Sequence, residues 1–296
     1  MRQKRETLVG YAFLAPALVI FFALVAFPIC MSIYLSFTKW NFLSGWSGIS
    51  WIGLDNFKRL FTRDRSFKVA LINTFVYAVS IVPITVFMAL LLAHAFNGNI
   101  FCKKYFRFAF FIPYISNMVA LGSIFRFLFQ LDGPINEILR NVFHLAESEL
   151  PNWLADNSLC RIPIICVMIY SGLGYCLLIY TAAIKDISED LYEASAIDGA
   201  SPLRQFFSIT VPLISPTTFY LLIVRMINVF QIFSAINIIN TTGRSGGNVS
   251  LVLLIYNEAF QHYNFGYASA EAWVLVAIIL AVTAVQMWGQ KKWVNY

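Results

Sequence analysis

Charged residues are confined to short stretches of this chain, and long apolar runs fill the rest. No Lys, Arg, Asp or Glu occurs from Thr7 to Thr38, nor from Val69 to Cys102. A membrane-crossing helix needs about 20 mostly apolar residues. The pattern predicts six such spans, at 10–33, 70–95, 108–130, 162–184, 211–238 and 268–288. The first run is too long for a signal-peptide core and reads as a retained span. Pro16 and Pro28 inside it are tolerable in a membrane helix, where neighbours re-satisfy the freed backbone. The third span opens on FFIPYISNM, where Pro113, Tyr114, Ser116 and Asn117 set polar groups at a potential break. The fourth contains SGLGY, whose paired glycines let another backbone or a ligand come close. The fifth is unusually polar, with Arg225, Asn228, Gln231, Ser234 and Asn237.

The segments between the spans carry patterns of their own. Lys39 to Lys68 is polar but holds Trp40, Trp46 and Trp51, residues suited to a membrane interface. Within it, GLDNFKRLF predicts a short surface helix with Leu54, Phe57 and Phe61 on one face. Ile187 to Pro216 reads as two amphipathic helices joined at a glycine. Ser188 is suited to capping the first, with Glu189 and Asp190 in its first turn, where the helix dipole favours acids. Leu191, Ala194 and Ile197 form its apolar stripe. Gly199 ends it, because glycine takes the left-handed conformation at little cost. Ser201 and Pro202 start the second, proline being suited to the first helical position. Phe206, Phe207, Ile209 and Val211 carry that helix toward the next span.

Composition narrows the class. Hydrophobic residues make up 59% of the chain and charged residues 12%, against about 25% charged in a soluble domain. The mean hydropathy is +0.70. A net charge of +6 would point to nucleic acid in a soluble protein. Here the basic residues flank apolar runs, so membrane topology explains them and no nucleic-acid partner is expected. The five cysteines, Cys30, Cys102, Cys160, Cys166 and Cys176, form no CxxC and read as free packing residues, with no metal site. No GxxxxGK[ST] is present, so ATP binding by that route is not expected. No Asp or Glu is expected well inside a span, which counts against proton relays and intramembrane proteolysis. His94 reads as a packing residue, and Lys103 and Arg107 as topology determinants. Basic residues divide almost evenly between the two sides. Their density in the shorter segments favours both termini on the inner side.

Glu193-Ala194-Ser195, Asp198-Gly199-Ala200, Ile209 and Pro212 together resemble the EAA loop of ABC-importer permeases. The run LYEASAIDGAS is similar to the carbohydrate-importing branch, the maltose-type membrane subunits. GLDNFKRLF, QLDGPINEIL and YNEAFQHYNFGYASA also resemble that branch, so the likeness covers nearly the whole chain. Two departures stand out. Ser195 replaces the usual second alanine, and TTGRSGGN lacks the proline of the family's GGP phrase.

The resemblance implies an all-α polytopic membrane protein, with six transmembrane helices and a cytosolic coupling-helix loop at 185–210. Residues 1–68 would hold the tail, first span and outer loop, 69–290 a five-helix core, and 291–296 a cytosolic tail. It implies a permease subunit of a binding-protein-dependent importer in the bacterial cytoplasmic membrane, with both termini cytosolic. The implied partners are a second permease, two ATPases that bind the ATP and Mg, an extracytoplasmic sugar-binding protein, and the sugar itself. This chain would hold no cofactor and catalyse no chemistry. Glu193, Ala194, Ser195, Asp198, Gly199 and Ala200 would contact the ATPase. An ion- or proton-coupled sugar carrier acting alone is the other reading.

The polar residues of the spans supply a candidate path, since sugars are held by hydroxyl hydrogen bonds and by stacking on aromatic faces. Tyr114, Asn117, Tyr170, Gly174, Asn228 and Gln231 are suitable, and FIPY, GY and FQIF align them with path positions of the maltose-type permeases. Asn228 and Gln231, three apart, would share a helical face. Polar bonding between helices is the alternative for each of them. Arg225 would sit near mid-membrane, where insertion costs at least about 2.5–3.5 kcal/mol. Bonds within its own bundle, a carboxylate on the second permease, or a cavity holding an anionic sugar would each offset that cost.

Overall fold

The computed structural model describes residues 2–98, 103–239 and 248–291. Cys102, Lys292, the rest of the chain end and most of the Gly-rich turn at 241–249 lie outside the described residues. The chain is built from helices: α1 (Arg2–Phe21), α2 (Phe27–Ser36), α3 (Asp55–Thr62), α4 (Arg65–Asn97), α5 (Lys103–Ile115), α6 (Met118–Leu128) and α7 (Pro134–Phe143). They continue as α8 (Arg161–Lys185), α9 (Glu189–Ile197), α10 (Pro202–Gln205), α11 (Val211–Leu213), α12 (Ser215–Phe230), α13 (Ser234–Ile239), α14 (Leu251–Tyr256) and α15 (Phe265–Gln290). Four stretches are long and apolar enough to cross a membrane: Phe13–Ser36, α4, α8 and α15. Two bent pairs raise the number to as many as six.

One bent pair realises the potential break in the third span, and the other bends near the start of the predicted fifth span. The third span breaks at Ser116 and Asn117, and its two arms meet at 105°. Asn117 explains the restart, because its side chain accepts from the Val119 amide at 2.8 Å and caps α6. The segment into the fifth span bends by 66° at Ile214. Pro216 follows the bend, and proline is placed without penalty in a first turn. The predicted fifth span also stops early, since α12 ends at Phe230 and α13 begins only at Ser234.

The chain divides into two compact units. One comprises 1–64 and 255–277. Here a two-stranded antiparallel ladder, β1 (Thr38–Lys39) with β2 (Ser50–Trp51), closes the loop after α2. The helix predicted from GLDNFKRLF forms as α3, but its buried positions are Asn56 and Leu60, while Leu54 and Phe61 are exposed. A polar residue turns inward because Asn56 Nδ2 donates to the carbonyls of Ser36 and Thr38, each at 2.9 Å. Gly266 meets Thr38 and Trp40 so closely that no side chain would fit there. Tyr267 donates to Asp64 at 2.6 Å, and the Arg59 guanidinium lies 4.5 Å from the centre of its ring. Glu271, one turn further along α15, is 0% exposed, and neither carboxylate oxygen has a hydrogen-bond partner. Glu271 lies in the second turn of α15, near one end of that helix rather than well inside it.

The other unit comprises 65–254 and 278–296. In it α4 and α8 pack along each other, and α5 and α12 flank them. Tyr77, Ile81, Ile164, Tyr180 and Leu221 are fully buried in this layer. Small residues set the close approaches. A methyl on Gly174 would stand 2.7 Å from the Phe110 carbonyl oxygen and 2.8 Å from Tyr114 Cβ. Side chains of α4 also hold the segment before α14. Tyr77 donates to the Asn248 carbonyl at 3.0 Å, and the Leu251 amide donates to Thr74 Oγ1 at 3.0 Å. His94 packs its ring 4.5 Å from that of Phe206, as a packing residue does.

Candidate functional site

The segment after α8 folds as two short helices at a glycine. Gly199 has φ +78°, the left-handed conformation, and ends the turn after α9. Ser201 caps α10 by accepting from the Arg204 amide at 3.4 Å. Ser188 occupies the cap position of α9 without capping it; its hydroxyl donates to Asp190 at 3.2 Å instead. The second helix is not uniformly α-helical, because Phe206–Thr210 forms a π-helical stretch before α11.

Polar contacts hold the two arms together. Gln205 Nε2 donates to the Tyr192 carbonyl at 3.0 Å and to Ser195 Oγ at 2.8 Å. Ser195 in turn donates to the Tyr192 carbonyl at 2.9 Å. The Tyr192 and Thr210 hydroxyls are 2.9 Å apart. Ser195, which stands where the resembling loop has a second alanine, is therefore a hydrogen-bonding residue. Glu193, Ala194, Asp198 and Gly199 are exposed, and Ser195 and Ala200 half-buried. Leu191 of the predicted stripe is exposed, and Ile197 is 87% exposed. The apolar stripe therefore faces outward, and burying it against a second surface would be favourable.

The candidate path residues fall into two groups. Tyr114, Asn228 and Gln231 are exposed and Tyr170 half-buried. Asn117 is the α6 cap, and Gly174 is buried beneath the α5 backbone. The Tyr114 ring lies 5.6 Å from that of Tyr175, whose hydroxyl is 2.8 Å from the Tyr220 hydroxyl. Tyr175 and Tyr220 thus join Tyr114 in a three-helix tyrosine cluster that sequence reasoning missed. Tyr175 stood inside the quoted GY motif, but nothing local indicated that Tyr220 meets it. Tyr170 packs with Phe125 at 6.0 Å. Asn228 donates to the Val224 carbonyl at 2.7 Å. Gln231 is the residue that ends α12, so the shared helical face expected for the two stops at the helix end. The exposed polar row nevertheless continues through Ser234 and Asn237.

Arg225 is 8% exposed and donates through Nη2 to the Met168 carbonyl of α8 at 3.2 Å. Its guanidinium lies directly over Gly172, where any side chain would collide with it. The arginine points into its own bundle, the first of the three positions open from sequence.

Long apolar helices, two bent helix pairs and an exposed helix-glycine-helix unit mark a polytopic membrane protein. Sequence comparison is specific: residues 62–293 match the model of the binding-protein-dependent transport system inner membrane component. The chain belongs to that family, a membrane-embedded and non-catalytic component of ABC importers. It is 34% identical over 288 residues to the probable ABC transporter permease protein YurN of Bacillus subtilis (strain 168), covering 96% of each chain. It is 31% identical over 297 residues to the probable permease YesP of the same organism, covering 99% of this chain and 94% of YesP. The lactose transport system permease protein LacF of Rhizobium radiobacter is 30% identical over 290 residues, with 96% and 94% covered. In fold, the chain matches a subunit of a bacterial ABC transporter that imports the acidic polysaccharide alginate. The TM-score is 0.83 at 22% identity, and 98% of each chain is covered.

Proposed function

We propose that this chain is the membrane subunit of a binding-protein-dependent sugar importer, and that 188–205 is its contact with an ATPase. The observation that carries the reading is the exposed helix-glycine-helix unit between α8 and α12, with Glu193 and the stripe ending at Ile197 turned outward. The names of LacF and of the other sugar permeases among its relatives support the substrate class. The complex contains a second permease, two ATPases that bind ATP and Mg, and an extracytoplasmic sugar-binding protein. The chain crosses the membrane six times, each bent pair counting once, and both termini face the cytosol.

In mechanism, ATP binding closes the two ATPases and draws the docked loops together. Gln205 and Ser195 tie α9 to α10, so the loop moves as one piece and passes the motion to α12 through the bend at Ile214. Sugar passes along Tyr114, Tyr170, Asn228 and Gln231, with Tyr175 and Tyr220 as additional stacking surfaces. Asn117 and Gly174 shape this face, one by restarting α6 and the other by admitting α5. Uptake into proteoliposomes holding the full complex tests the reading. Sugar should accumulate only with ATP on the ATPase side and binding protein on the other. Accumulation driven by an ion gradient without ATP would contradict it.

A further inference from the structure

A groove of about 540 Å³ lies between α5 and α8, and none of Tyr114, Tyr175 and Tyr220 lines it. Lys104, Arg107, Phe108 and Phe111 form one wall, at spacings that share a face of α5. Gly174, Leu178 and Thr181 form the other, at the same spacing on α8. At one end Phe111 stands against Gly174, where an added methyl would lie 3.3 Å from Phe111 Cα. From there the groove extends about 10 Å along α5 to Lys104, at about 1.5 Å per residue. The charged end is therefore the one where α5 begins and α8 ends.

The two ends differ in chemistry. Phe108 and Leu178 are exposed along the walls. A sugar would leave its hydroxyls unpaired against them, at a cost, whereas an acyl chain would not. At the charged end Lys104 is exposed, and none of the lining residues is acidic. Arg107 donates through Nη2 to the Phe96 carbonyl at 3.0 Å, and its buried Nε has no partner among the described residues. The guanidinium fork thus keeps donors for an oxyanion. Topology alone accounts for basic residues at a membrane boundary. It does not account for a basic pair closing an apolar groove between two helices with a donor left over, an arrangement suited to an anionic lipid headgroup.

We infer that this groove holds a phospholipid with an anionic headgroup, its phosphate on Lys104 and Arg107 and an acyl chain along Phe108, Phe111 and Leu178. The lipid comes from the leaflet on the side of the 188–205 loop, because α8 ends at Lys185 just before that loop. Seated there, it braces α5 against α8 beside the loop. The inference needs the chain to lie in a membrane and is independent of what the chain transports.

The test uses the full chain, purified with the subunits that accompany it and placed in bilayer discs of phosphatidylcholine. Each disc preparation carries a trace of photoactivatable phosphatidylglycerol or phosphatidylcholine, the two sharing one diazirine-bearing acyl chain. Peptide mapping then locates the crosslinks. Phosphatidylglycerol should label 104–111 and 174–181 several-fold more than phosphatidylcholine does. Lys104→Gln and Arg107→Gln should each bring that ratio down toward one. Lys104 is exposed, so its replacement spares the packing even if loss of the Arg107 bond to Phe96 does not. Lys185→Gln, at the same end of α8 but outside the groove, should leave the ratio unchanged. Equal labelling by the two lipids would reduce the groove to an apolar contact and overturn the inference. So would a ratio that survives Lys104→Gln, or one that falls as far in Lys185→Gln. Labelling abolished by excess glycerol phosphate would indicate a site for free phosphate instead. No labelling of these segments by either lipid would mean that another subunit covers the groove, and the inference would be wrong.

Discussion

Gln205 of α10 reaches back across the Gly199 turn and donates to the hydroxyl of Ser195 on α9 at 2.8 Å. That bond, with the one from Gln205 to the Tyr192 carbonyl, sets the angle between the two arms of the loop. A net intramolecular hydrogen bond contributes about 0.5–1.5 kcal/mol. Gln205→Leu removes both bonds between the arms, whereas Ser195→Ala removes one of them together with a bond inside α9 to the Tyr192 carbonyl. Coupling, measured as sugar taken up per ATP hydrolysed, should fall more in Gln205→Leu than in Ser195→Ala. Equal coupling in both variants and in wild type would mean that the arms are held by other contacts.

Gly199 offers a test that separates strain from collision. A Cβ there meets nothing within 4 Å, yet φ is +78°. Gly199→Ala should therefore cost only the left-handed backbone penalty, about 1–2 kcal/mol. Gly199→Asn, whose side chain tolerates that conformation, should restore most of the loss. Circular dichroism melts of the purified chain would rank the three proteins. A ranking with Asn below Ala would contradict the assignment.

Gly174 is the opposite case, where space is limiting and φ is not. A methyl would press on the Phe110 carbonyl and on Tyr114 Cβ. Gly174→Ala should cost about 1–3 kcal/mol, the usual range for overpacking. It should also push Tyr114 away from Tyr175, lowering sugar uptake. An unchanged melting midpoint would show that α5 and α8 can separate freely.

The exposed polar row on α12 predicts partial transport defects. Asn228→Leu and Gln231→Leu should each reduce uptake several-fold, consistent with about 0.5–1.5 kcal/mol per hydrogen bond. ATPase association should be unaffected. If neither substitution changes uptake kinetics, the end of α12 is not on the path.

What could be read from the sequence was what short-range chemistry decides. The helix-glycine-helix unit was legible because its cap at Ser201 and its left-handed Gly199 are local events. The break in the third span was legible at Ser116 and Asn117 for the same reason. The burial of Glu271 was not, since it depends on residues far away in sequence. The inward face of α3 was not legible, because periodicity only groups Leu54, Phe57 and Phe61, whereas the backbone carbonyls of Ser36, Thr38 and Gly266 draw Asn56 inward. The early end of α12 at Phe230 carries no proline or glycine to announce it. Ser250 donates to the Ile232 carbonyl at 2.8 Å, a tertiary bond that replaces a helical one.

The account stands or falls on whether the loop at 188–205 holds an ATPase. The direct measurement is affinity purification of the tagged chain from membranes, for wild type and for Gly199→Asp, with quantification of the ATPase and second permease that come with it. Wild type should bring both down in fixed stoichiometry. Gly199→Asp, which adds a side chain and a charge where the loop bends, should keep the second permease and lose the ATPase. A variant that retains a full complement of ATPase, or a wild-type chain that transports sugar with no ATPase attached, would contradict the account.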